Sequence, residues 1–224
     1  MNQIGSYLMN IMVKQLYPVV VFKVLPSNRP NKDSSAGTNS EIISHPKISN
    51  QLISPYSRNQ NNCYQGIFNS GKYLIQNLFQ LRAHLFPREL NFSIGIGTVD
   101  TPINPIMAIK VKGTAIKNAE FGLDKHLKLG PYLSINGFSK SIEKISLPSI
   151  ELLWSSTLRW NYNRIKILNG LLDNQSEIEI AQNLGISQRA VYKNIAQARL
   201  KTWAELSLSV EENISAILKQ YKNP

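Results

Sequence analysis

One stretch constrains this chain more than any other: Ser176 to Arg199, reading SEIEIAQNLGISQRAVYKNIAQAR. Ile178, Ile180, Ala181 and Leu184 form the apolar face of a first short helix, and Gly185 supplies a left-handed residue to end it. Ser187 can cap a second helix, on which Val191, Ile195 and Ala198 recur at i, i+4 and i+7. Ala181 is small where the two helices would cross. These signals together predict a helix-turn-helix, with Ser187, Gln188, Arg189, Tyr192, Lys193 and Gln197 on the outward side of the second helix. Side chains of this kind reach base edges and phosphates when such a helix lies in the major groove. Between Ser187 and Lys201 there is no acid, whereas Arg189, Lys193 and Arg199 are cationic. Double-stranded DNA is therefore the expected partner, against the blander reading of an αα-hairpin used for packing alone.

The formal charge of +11 suits a polyanionic partner, but it does not coincide with this motif. From Glu151 onward there are nine Lys and Arg against seven Asp and Glu, a net of +2, and residues 1–150 carry the remaining +9. The C-terminal part is basic only locally. One cysteine, Cys63, excludes an internal disulfide framework, and His45, His84 and His126 lack ligand spacing, so neither a metal nor a cofactor is expected. No apolar run reaches the length of a membrane span, and the N-terminal segment, broken by Lys14 and Pro18, lacks the features of a signal peptide. The expectation is a cytoplasmic protein with no membrane contact.

Upstream of the motif the pattern changes from strand to helix and back. Tyr17–Leu25 reads as a buried strand, Pro26–Ser40 as a loop and Glu41–Leu52 as a short interrupted helix. Ile53–Ser57 is a second strand. A helix is expected over Gly66–Phe86, stopped by Pro87, followed by a strand at Leu90–Val99, a helix at Gly113–Lys128 and an edge strand at Leu133–Phe138. This order predicts an α+β sandwich with helices on one face of a mainly antiparallel sheet. The break from sheet to helices is expected near Ser139–Ser149, dividing the chain into residues 1–145 and 146–224. Ile150–Leu172 is a helix pair with Leu152, Leu153, Trp154, Leu158, Trp160, Ile165, Ile167, Leu168, Leu171 and Leu172 as candidate core. Trp203–Tyr221 is a long helix carrying Trp203, Leu206, Val210, Ile214, Ile217 and Tyr221 on one stripe. That stripe either packs on its own domain or forms the seam of a homodimer.

The β-branched first strand, a tract ending QGIF, the strand FSIGIG, the helix GTAIKNAEF, a Trp-rich helix and EIAQNLGISQRAVYK together resemble the SatD family over nearly the whole chain. The resemblance implies a ferredoxin-like N-terminal domain of the GGDEF and class III nucleotide cyclase type, followed by an all-helical domain similar to LuxR-type regulators and sigma-factor DNA-binding regions. It also implies a regulatory role. Members of that family typically carry an acid at the end of the first strand and a GDEFQG-like turn. Here Lys23 stands in the first place, and the turn reads Asn61, Asn62, Cys63, Tyr64, Gln65, Gly66, with neutral Asn62 and Cys63 for the acidic pair. Metal-assisted cyclase chemistry needs anionic oxygens, so no enzyme activity is expected. A binding role for the same domain stays open: Gly95 and Gly97 with the Gln65–Gly66 turn would outline a groove, and Lys23, Arg58 or Lys72 would attract phosphate. The favoured reading is that the glycines serve strand bending and the cations are solvated, and Cys63 reads as a small buried hydrophobe. The leading expectation is sequence-specific DNA binding in transcriptional regulation. The alternatives are a nucleotide-binding or nucleotide-cyclising enzyme and a protein-interaction module that contacts the transcription machinery.

Overall fold

The computed structural model describes residues 15–25, 48, 50–108, 110–126, 132–138 and 140–220. The loop expected at Pro26–Ser40, most of the helix expected at Glu41–Leu52, and Tyr221 lie outside these residues. Five strands form one sheet: β1 Leu16–Val24, β2 Ser54–Arg58, β3 Tyr64–Ile67, β4 Leu90–Thr98 and β5 Leu133–Asn136. Their order is β2-β3-β1-β4-β5. Three pairings are antiparallel and β4–β5 is parallel, so the sheet is mixed and mainly antiparallel, with β5 at an edge as expected. Seven helices accompany it among the described residues: α1 Leu74–His84, α2 Thr114–His126, α3 Lys140–Ser156, α4 Tyr162–Leu172, α5 Glu177–Leu184, α6 Gln188–Ala198 and α7 Leu200–Gln220. No helix among these residues is long and apolar enough to cross a membrane.

Alternation along the strands separates two cores. Val20, Phe22, Phe92, Ile94, Ile96, Leu133 and Ile135 point to one face, where they join buried side chains of α1, α3, α4, α6 and α7 in a single cluster. Val19, Val21 and Ile67 point to the other, against Ala115, Ile116, Ala119 and Leu123 of α2. Helices therefore cover both faces, not one. The correction has a physical cause. The strands are buried on both sides, and β4 has small Ser93, Gly95 and Gly97 on the side that α2 must approach. A Cβ on Gly95 would lie 2.0 Å from the Ala115 carbonyl oxygen, and one on Gly97 would lie 2.6 Å from the Ala115 nitrogen. These glycines let α2 sit directly on the strand and do not line a groove.

Two further expectations change. The helix expected from Gly66 begins only at Leu74, because Tyr64–Ile67 is strand β3, paired on both sides to β1 and β2. Four buried residues are too short a run to display a period, which is why the helical reading took in the last two, Gly66 and Ile67. After β5 the described chain is helical throughout, beginning with α3, which spans most of Ser139–Ser149 and runs through Pro148. On α3, Trp154 is buried, but Leu152 and Leu153 are 74% and 38% exposed and do not belong to the core.

The helices are fastened to the sheet layer through α1. Its Gln76 amide donates to Asp173 Oδ1 at 2.5 Å, and Arg82 donates to the Thr157 hydroxyl and carbonyl oxygens. The Asn169 amide donates to the Phe79 carbonyl at 3.1 Å. Burial drives the Arg82 guanidinium down to about 10, with Glu89 opposing the shift. On α7 the buried positions are Leu200, Ala204, Ser207, Glu211, Ile214 and Leu218, an alternation of four- and three-residue steps. The stripe thus finds its cover within the chain, on α1, α4 and α6. Trp203, Leu206, Val210 and Ile217 are left half-buried at its margin.

Candidate nucleic-acid interface

Local chemistry shapes the α5–α6 pair. Ser176 and Glu179 form a reciprocal cap: the serine hydroxyl accepts from the Glu179 N–H at 3.3 Å, and the Glu179 carboxylate accepts from the Ser176 N–H at 2.7 Å. Those hydrogen bonds hold the Glu179 carboxyl below the ordinary carboxylate range. Gly185 ends α5 at φ 64°, ψ 32°, and the next N–H, of Ile186, turns back to the Ala181 carbonyl at 3.1 Å. Ser187 then opens α6, its hydroxyl accepting from the Ala190 N–H at 3.2 Å. Val191 and Ile195 are buried in the same cluster as Ile165, Ile180 and Leu200. Ala198 is only half-buried. The helix orientation is set by this inner face.

The outer face carries all the residues singled out from the sequence. Ser187, Gln188, Arg189, Tyr192, Lys193 and Gln197 are exposed. They are not equally available. Ser187 is committed to the cap, and the Gln197 side-chain oxygen accepts from Arg164 at 3.2 Å. Gln188, Arg189 and Lys193 have no hydrogen-bond or ion-pair partner among the described residues, and Tyr192 presents half its surface. Lys201, counted among the local cations, pairs with Glu177 at 2.8 Å. The pair holds Glu177 below its ordinary value and pushes Lys201 up. Such an exposed pair contributes little stability, but it offsets one of the positive charges beside α6.

Arg164 escaped the sequence reading. It sits in the first turn of α4, whose cap is Asn161. From there its guanidinium reaches Asn194 Oδ1 and Gln197 Oε1, both at 3.2 Å, and ties α4 to α6. Separations of 30 and 33 residues leave no local signal for such a contact.

The β2–β3 hairpin holds the other residues of interest. The Asn59 side-chain oxygen accepts from the N–H groups of Asn61 and Cys63, each at 3.0 Å, and Asn62 takes φ 58°. Asn62 is exposed, whereas Cys63 is 6% exposed and turned into the α2 core. Burial pushes the Cys63 thiol up against the opposing pull of Lys23, which disfavours a reactive thiolate. Gln65 donates to the Ala108 carbonyl, and a Cβ on Gly66 would strike Leu52 and Tyr56. A cleft of about 530 Å³ does open here, but its cations are Arg58, Lys110 and Lys112, with Glu120 opposite them. Lys23 and Lys72 do not line it. Burial, with Asp124 nearby, raises the Glu120 carboxyl. Among the described residues no group of three or more His, Cys, Asp or Glu comes together in a way that could hold a metal ion.

No family model, no curated protein and no solved structure matches this chain.

Proposed function

We propose that this chain is a sequence-specific DNA-binding protein acting in transcriptional regulation, with α5 and α6 as a helix-turn-helix and α6 as its recognition helix. The observation that carries the reading is the division of α6. Val191 and Ile195 lock one face into the core, while Tyr192 stands outward beside Gln188, Arg189 and Lys193, whose side chains have no partners to give up. Arg189 would take the fork of acceptors on a guanine, and Lys193 a backbone phosphate. Ser187 and Gln197 would contribute from the ends of the same face.

In this proposal the sheet layer is a ferredoxin-like, cyclase-type domain of the SatD kind that has no catalytic role and serves sensing or assembly. Its strand order, its β2–β3 hairpin and the neutral Asn62 and inward Cys63 at the turn support that reading. The cellular setting proposed is the cytoplasm. Homodimerisation through Trp203–Tyr221 belongs to the proposal only for the half-buried margin of α7, since its buried stripe is covered within the chain.

Selection of random-sequence duplexes by mobility shift at two salt concentrations tests the function. A short enriched motif is the expected result, and two half-sites about one helical turn apart would bring in a second copy. Arg189→Ala should then cost roughly 1–3 kcal/mol and relax specificity at one base pair. Lys193→Ala should weaken all sequences alike and lower the salt slope by about one. Absence of binding at either salt would return the helix pair to a packing or protein-contact role.

A further inference from the structure

Between the C-terminal end of α6, the turn joining α3 to α4, and α7 lies a cleft of about 420 Å³. Small-molecule sites occupy roughly 300–1,000 Å³. Arg159, Arg164 and Arg199 stand around it, Trp160, Trp203 and Leu206 form much of its apolar wall, and no lining residue is acidic. Arg159 and Arg199 are exposed, and their side chains have no hydrogen-bond or ion-pair partner among the described residues. Arg164 is half-buried and donates only to the neutral amides of Asn194 and Gln197. Three guanidinium charges therefore share one cleft with no counter-charge, an arrangement that an anion completes.

Two features add geometry to the charge. Trp203 is held edge-on by Trp160 at 5.6 Å and by Phe79 at 6.0 Å, so its position is defined while part of its surface stays open to the cleft. Arg199 ends α6 at φ 51°, ψ 44°, a left-handed conformation that glycine adopts without strain. An arginine there puts its guanidinium at the cleft in spite of the backbone.

We propose that this cleft binds a small anion that carries a planar aromatic ring, and specifically a nucleoside monophosphate. The indole surface would stack on the base, and the arginines would take the phosphate. The site requires no duplex and stands or falls apart from the DNA-binding reading.

The test is tryptophan fluorescence of the full chain titrated with adenosine monophosphate, with adenosine and inorganic phosphate as separate probes. The expected result is a saturable change with the monophosphate, at a concentration about tenfold below that of either part alone. Arg199→Gly should weaken it about tenfold while thermal unfolding is unchanged or raised, because glycine suits that backbone. Arg159→Ala should weaken it similarly, and Arg58→Ala, in the hairpin cleft, should not. A missing saturable response, or an equal one in Arg199→Gly, overturns the proposal. Loss in Arg58→Ala with retention in Arg199→Gly overturns it by moving the ligand to the sheet end. A fall in duplex affinity of Arg199→Gly with no response to the monophosphate also overturns it, assigning the arginines to the DNA backbone.

Discussion

Helices α6 and α1 are both eleven residues long, and their N-termini are closed by opposite means. Ser187 adjoins α6 in sequence and caps it with its own hydroxyl. Helix α1 is entered from Tyr73, its N-cap, in a left-handed conformation at φ 65° with no side-chain cap of its own. Its free N–H groups are taken by Glu211 of α7, which accepts from Tyr73 and Gln76 at 2.9 Å each, across 138 and 135 residues. Gly71 makes room for the approach: a Cβ there would lie 2.3 Å from the Glu211 carbonyl oxygen. A local cap forms one helix. The distant cap also fixes α7, and with it the α4–α6 assembly, on the sheet layer.

The comparison predicts a hierarchy of costs. Glu211→Ala leaves one buried donor, the Gln76 N–H, and one part-buried donor, the Tyr73 N–H, unsatisfied; at ~1–3 kcal/mol for the buried one and less for the other, a loss of about 2–4 kcal/mol is expected in denaturant unfolding. If it costs no more than removing the Ser187 hydroxyl, the distant cap is not what fastens the two layers. Gly185→Ala comes next, at about 1–2 kcal/mol for an alanine at positive φ. A Cβ there meets nothing within 4 Å, so the whole cost is backbone strain. Ser187→Ala should lose about 1 kcal/mol. Combined with Glu211→Ala its effect should add to within about 0.5 kcal/mol, the behaviour of independent sites. A larger coupling energy would mean that the two caps share one cooperative element.

The smallest effect concerns pH. Burial raises the Glu211 carboxyl above its ordinary 4.5, although the backbone N–H groups of Gln76, Tyr73 and Ile75 pull it down. In the window from 4.5 up to the raised value the folded chain holds a proton that the unfolded chain has released. Stability from this group is therefore present below 4.5 and is lost as pH rises through the folded value. Glu211→Gln keeps one acceptor and cannot titrate. The difference in unfolding midpoint between wild type and this variant, followed across pH, should carry that slope. A flat difference would mean that Glu211 titrates as it does in the unfolded chain.

The two helices also differ in how far they could be read from sequence. For the α5–α6 pair, the end of α5 and the start of α6 were legible, because Gly185 and Ser187 act within four residues of themselves. The inward and outward faces of α6 followed from the 3.6-residue period. Strands β1, β2, β4 and β5 were legible from β-branched or alternating runs. What was not legible depended on contacts between distant segments. The last two residues of strand β3, Gly66 and Ile67, were read as helix because partners, not composition, make that segment a strand. Leu152 looks like core and is exposed, while Glu211 looks like solvent-facing charge and is buried.

By itself, then, the sequence determined the features whose causes lie within one helical turn: caps, the left-handed glycine, the periodic faces, and the absence of acids between Ser187 and Lys201. Tertiary structure alone decided the covering of both sheet faces, the commitment of Arg164 to Asn194 and Gln197, and the gathering of Arg159, Arg164 and Arg199 around one cleft. It also decided the closing of α1 by Glu211. The physical reason is range. Hydrogen bonding and steric preference act between neighbours in the chain, whereas burial and charge act between neighbours in space, and only the folded chain specifies which those are.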